Sequence, residues 1–192
     1  MRIPAVLRSE IHVLAPAGAV LAAAAGPPDR LGVVMEHQRG VRWCWAALSV
    51  SLRHFLRPAL PHMTQCRLAQ IVLHHTDCCD VDPPKAACDK EALLSAAFSA
   101  AAVPAFPGQN PLIFADVRTE IQVRRKPIAC RIAFPPPAID HFVQIDGVIE
   151  NGTVRKYIVN DPKRGDVVLT PDAMRSNYAN LGGQWTQAFR MS

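Results

Sequence analysis

The sequence predicts an α+β fold of two lobes, with an N-terminal helical lobe facing a C-terminal antiparallel sheet lobe across a cleft. Three observations predict the α+β class. Apolar residues recur at helical spacing from Trp45 to Ile121, short β-rich runs replace that pattern after Pro127, and turn residues separate those runs. A chain of 192 residues with 49% hydrophobic and 19% charged residues can bury a core as one domain. That balance excludes disordered, collagen-like and coiled-coil chains.

Residues 1–32 read as an alanine- and proline-rich arm and 33–192 as the folded domain. Within the arm, Arg2 and Arg8 precede an apolar stretch ending in Ala23-Ala24-Ala25, which imitates a secretory signal with a small-residue cleavage site. Glu10, His12 and Pro16 interrupt it, so a flexible arm is the competing reading. Pro16 and Pro27 break the longest apolar run below the roughly 18 residues of a membrane helix, so no membrane span is expected.

The first predicted helix carries Trp45, Leu48, Leu52 and Phe55 on one face and stops before Pro58. Thr64 can cap a second, with Leu68, Ile71, Val72 and His75 inward. Asp89 can cap a third carrying Leu93, Leu94, Ala97, Phe98 and Ala101, and Asn110-Pro111 can open a fourth carrying Phe114, Val117 and Ile121. Strands are expected at Ile128 to Ala133, His141 to Val148, Val154 to Asn160, Val167 to Leu169 and Gln184 to Arg190. The run Pro135-Pro136-Pro137 is a stiff connector or a rim of the cleft.

A net charge of +5 permits a polyanion partner, but the basic residues are scattered, and the one cluster, Arg124-Arg125-Lys126, lacks aromatic neighbours for stacking. No nucleic acid is expected as a partner. Six cysteines are present, and Cys66, Cys78, Cys79 and Cys88 crowd into the first half. Beside His62, His74 and His75 they could hold zinc, although the repeated C-x2-C knuckle is absent. A vicinal Cys78–Cys79 bond would be strained. Two bridges therefore leave either 66–78 with 79–88 or 66–79 with 78–88, and both imply an oxidising destination such as periplasm, medium or a host surface. Cys130, inside a strand, reads as a small buried hydrophobe.

Cys44 stands where a glycine-containing loop runs into the first helix, and free N–H groups there favour the nucleophilic thiolate. A buried core cysteine is the competing reading. Gln38, six residues upstream, could aim its amide at the same space as the Cys44 N–H and complete an oxyanion hole. A three-residue hairpin loop, Glu150-Asn151-Gly152, would place His141 opposite Asp161, whereas a two-residue Asn-Gly turn would place Phe142 there. Asp161 would then fix the His141 tautomer. Asp140 and Asp146 lie at odd offsets from His141 and should point to the other face.

Gln38 with Trp43-Cys44-Trp45-Ala46-Ala47, then Gln65-Cys66-Arg67-Leu68-Ala69, Cys78-Cys79, Cys88, Lys126-Pro127-Ile128, His141-Phe142-Val143, Asn160-Asp161-Pro162, Gly165 and Trp185 resemble the bacterial papain-like cysteine peptidases. The similarity is to the avirulence-effector and bacteriocin-leader-peptidase-like groups, over residues 38 to about 188. It implies a papain-like fold and a thiol peptidase. Cys44 would be the nucleophile, His141 the general base and acid, Asp161 its orienter and Gln38 the oxyanion donor. Arg42 departs from the small or polar residue expected before the Trp-Cys pair, and Asp89 stands where asparagine is frequent.

The expectation is a secreted or translocated bacterial cysteine peptidase without a cofactor, acting on a peptide or protein, with a cognate inhibitor, immunity protein or chaperone as a further partner. A transamidase or deamidase on the same residues is the nearer alternative. A non-catalytic Cys/His zinc module is the more distant one.

Overall fold

In the computed structural model, residues 29–108, 110–136 and 140–192 are described. The signal-like stretch within residues 1–28, and Pro137, lie outside them. The elements are β1 (Asp29–Arg30), α1 (Cys44–Leu56), α2 (Gln65–Leu73), α3 (Leu94–Ala100), β2 (Ala105–Pro107), α4 (Phe114–Arg118), β3 (Ile128–Ala133), β4 (His141–Asn151), β5 (Val154–Asp161), β6 (Gly165–Leu169), α5 (Pro171–Ser176) and β7 (Gln184–Met191). A π-helical turn, Thr119–Val123, extends α4. The chain is thus a mixed α+β fold, with its strands antiparallel in the order β2-β7-β3-β4-β5-β6 and β1 on β4.

The buried face of α1 runs nearly all round the helix. Ala46, Leu48, Val50 and Leu52 are fully buried, as are Ser49 and Ser51, whose hydroxyls donate to the Trp45 and Ala47 carbonyls one turn back. Thr64 caps α2 by accepting from the Arg67 N–H, and His74 ends it in the left-handed region at φ 57°. The inner face of α2 differs from the expectation, because Leu68 and Ala69 are buried while Ile71 and His75 are exposed.

Two further helix starts differ. α3 begins at Leu94, and Asp89 instead accepts from the Val41 and Arg42 N–H groups of the loop before α1. α4 begins after Ile113 rather than at Asn110-Pro111. The body also starts before residue 33, since β1 pairs Arg30 with Gly147.

Alternation along the strands divides the core in two. Ala129, Phe189 and Met191 join α1, α2 and α3 in one buried cluster, while Ile128, Cys130, Ile132, Trp185 and Ala188 face a second cluster with α4 and α5.

The β4–β5 hairpin has a loop that neither expected turn described. Asn151 pairs with Val154, so Gly152 and Thr153 form the connection, with Gly152 at φ 57°. A bulge follows at Asp146: Gly147 pairs with Ile158, but Ile145 pairs with Val159. Without that extra residue, Asp161 would oppose Gln144, on the face away from His141. With it, Asn160 opposes Gln144, and the next step brings Asp161 level with Val143, on the His141 face.

Candidate functional site

Cys44 is the first residue of α1, where the opening N–H groups of a helix have no intrahelical partner. The loop before it is fastened by its neighbours. Beyond the Asp89 carboxylate, Trp43 Nε1 donates to the Cys88 carbonyl at 2.8 Å and Trp45 Nε1 to the Lys90 carbonyl at 3.0 Å. Gly40 is required there, since a Cβ would meet Asp89 Oδ1 at 2.7 Å and Trp43 Cγ at 2.8 Å. Cys78 is bonded to Cys88 and Cys66 to Cys79, so the second of the two open pairings is the one formed. The cysteines that a zinc site would have used are therefore paired, and Cys44 and Cys130 are the free ones, both buried.

His141 opens β4, and Asp161 closes β5. They are diagonal neighbours rather than directly opposed, yet the side chains meet: His141 Nε2 lies 2.7 Å from Asp161 Oδ1, buried. Asp161 is held from several sides. The Lys163 and Arg164 N–H groups donate to its Oδ1, while the Tyr178 hydroxyl, at 2.8 Å, and the Arg164 guanidinium, at 3.4 Å, donate to its Oδ2.

The electrostatics follow from these contacts. Burial disfavours a charged imidazole, but the Asp161 carboxylate and then the Cys44 sulfur outweigh it, and the His141 pKa is raised to about 9. Burial would push Asp161 up, yet His141, the Lys163 N–H and Tyr178 hold its carboxyl well below the usual range. Burial and the Asp161 charge push the Tyr178 hydroxyl up, so it remains a donor. Because Nε2 faces Asp161, Nδ1 is the ring nitrogen left for sulfur.

Gln38 reaches the same neighbourhood with a different orientation from the one expected. Its Nε2 donates to the Gly40 and Val41 carbonyls at 2.9 and 2.7 Å, and its buried Oε1 has no partner. Both amide hydrogens are engaged in holding the nucleophile loop. Asp140 and Asp146 are directed elsewhere, to Arg131 and Arg30 respectively.

A cleft of about 590 Å³ opens over Cys44, with Trp45, Leu94, Phe142 and Phe189 as apolar walls and the Arg42–Glu91 and Arg131–Asp140 pairs among its charged groups. Trp45 thus serves both core and cleft, while Trp43 packs in the core.

Among the described residues, two groups bring three residues of metal-ligating type within 4.8 Å: Glu36 with His54 and His62, and His75 with Asp77 and Cys88. In the first, His54 Nε2 accepts from the Met63 N–H, Nδ1 lies 3.5 Å from Glu36 Oε1, and the two rings are stacked at 4.3 Å. In the second, Cys88 is held in its disulfide.

Sequence reasoning missed Tyr178, Arg164 and the role of Asp89. Tyr178 and Asp89 act through contacts far along the chain, whereas Arg164 lies three residues past Asp161, where Asp161-Pro162, a turn with room for following N–H donors, hinted at it. No protein-family model matches the chain, and no curated protein matches it, so the helix-start thiol beside a carboxylate-held imidazole stands on its own geometry.

Proposed function

We propose that this chain is a papain-like cysteine peptidase, with its helical part and its sheet as two lobes, that hydrolyses peptide bonds through a thioacyl intermediate. The observation that carries this reading is the meeting of three groups from distant elements: the Cys44 sulfur, the His141 ring it helps to keep charged, and the buried Asp161 bonded to that ring. The two disulfides fit a secreted or translocated enzyme.

Cys44 thiolate attacks the carbonyl carbon of a peptide lying in the cleft, forming a C–S bond and moving the C=O electrons onto oxygen. The Cys44 N–H faces that oxyanion. Gln38 joins it by releasing Nε2 from one loop carbonyl as substrate enters. When the tetrahedral intermediate collapses, the C–N bond breaks and imidazolium His141 gives its proton to the leaving amine. His141 then takes a proton from water, whose oxygen attacks the thioester. The acid departs, the proton on His141 remains, and the thiolate is restored. Throughout, Asp161 keeps the ring oriented and stabilises its cation.

The test compares the parent with Cys44→Ala on a peptide library, read by mass spectrometry. New termini from the parent alone, with the variant folded to within about 1 to 2 kcal/mol of the parent, are the expected result. Equal cleavage by both proteins overturns the reading. Crosslinks or one-dalton gains in place of new termini make the chain a transamidase or deamidase.

A further inference from the structure

The bulge at Asp146 decides whether His141 and Asp161 share a face, and a bulged residue has backbone groups that its strand partner no longer satisfies. Here a segment from the start of the described chain satisfies the carbonyl. β3 covers β4 as far as Ile145, β1 resumes at Gly147, and Asp146 lies between the two neighbours. The Leu31 N–H donates to the Asp146 carbonyl at 2.8 Å. Arg30 Nε donates to Asp146 Oδ2 at 3.0 Å, where the carboxylate is completely buried.

Arg30 also ties the bulge to β6. Its Nη1 meets Asp166 Oδ2 at 2.7 Å, Asn160 Nδ2 donates to Asp166 Oδ1, and Gln144 Nε2 donates to Asn160 Oδ1 at 2.8 Å. Gln144, Asn160 and Asp166 lie side by side across three strands, on the face opposite to His141 and Asp161. The guanidinium thus grips the extra residue and the register beyond it at once. Gly147 allows the close approach, since a Cβ there would stand 2.9 Å from the Asp29 carbonyl.

We propose that Arg30 is a positioning residue for the Cys44–His141–Asp161 site: by gripping Asp146 and Asp166 it fixes the one-residue shift that brings Asp161 onto the His141 ring. The inference rests on the functional reading above, since it is that site which it positions.

Arg30→Gln in the full chain, shown folded by circular dichroism, tests it. Two readouts are taken: the titration of the His141 ring by NMR, and the rate of Cys44 alkylation by iodoacetamide at pH 7. The parent ring should titrate near pH 9. In Arg30→Gln the titration should move at least about one unit towards 6.5, with alkylation slowed several-fold, as the ring loses its carboxylate. Arg30→Lys keeps the charge but reaches only one carboxylate, and should fall between the two. Asp166→Asn removes only the outer, half-exposed anchor, and serves where Arg30→Gln does not fold, with a smaller shift in the same direction. A variant that melts earlier but keeps the parent's titration and alkylation rate makes Arg30 merely structural and overturns the inference, leaving the site reading intact. A parent ring titrating near 6.5 overturns the site reading and the inference with it.

Discussion

Tyr178 illustrates how much of the candidate site rests on a residue with no chemistry of its own in the proposed reaction. Its hydroxyl, buried and held as a donor, is one of the groups that keep the Asp161 carboxylate charged beside His141. Tyr178→Phe removes one hydrogen bond to a buried charge and should cost about 2 kcal/mol in urea unfolding, because Arg164, at 3.4 Å, is left to serve Oδ2. Unchanged stability would mean that the hydroxyl contributes nothing to Asp161. Cys44, His141 and Asp161 were legible in the sequence because a thiol at a helix start, a strand histidine and a turn aspartate before proline carry meaning by type and position. Tyr178 was illegible because its meaning lies in a contact 17 residues away that no local pattern encodes. Gln38 was legible as a neighbour of the thiol, but not its rotamer, which depends on the Gly40 and Val41 carbonyls turning inward.

Among the elements, the segment from Cys88 to Lys90 has no regular secondary structure yet governs how α1 begins. It supplies two carbonyls to the indoles of Trp43 and Trp45 and a carboxylate to the loop N–H groups, and the Cys78–Cys88 bridge ties it down. Replacing both Cys78 and Cys88 by Ser opens a loop with a sequence separation of 10, for which the chain-entropy account gives about 3 kcal/mol. Thermal unfolding should show that loss, and Cys44 should alkylate more slowly as its loop loosens. A double variant as stable as the parent would count against the clasp. Asp89 was misread as a helix cap for a physical reason: an aspartate before an apolar periodic run suits a cap, and its alternative acceptor role involves residues 47 and 48 positions away. The β4–β5 register was likewise beyond sequence, because the loop falls at Gly152-Thr153 rather than at either expected turn and the ladder is bulged.

For the molecule as a whole, the α+β class, four of the five α-helices and five of the seven strands were legible from the change of apolar period, whereas α5, set between β6 and β7, was not. The two short strands, Asp29–Arg30 and Ala105–Pro107, carry too few residues to show any period, and their pairing with β4 and β7 comes from tertiary closure. The buried charge pair also gives the fold a pH dependence. His141 is raised from 6.5 to about 9, so its contribution to stability is complete below 6.5 and is lost as pH rises through about 9. The shift corresponds to at most about 3 kcal/mol. Urea unfolding of the parent and His141→Gln at pH 6 and pH 10 should show the gap between them shrinking by that order as pH rises. A gap independent of pH would contradict a charged ring in the folded state.

The clasp on α1 has a practical corollary. A nucleophilic sulfur is customarily protected by adding dithiothreitol, and in this chain the bridge that steadies the loop is itself a disulfide, with both of its cysteines buried. Reductant would reach an oxidised Cys44 at the cleft, while that bridge is shielded as long as the chain is folded. On the proposed reading, dithiothreitol is harmless under native conditions and damaging once heat or denaturant opens the fold, when the fastening that presents Cys44 would be lost.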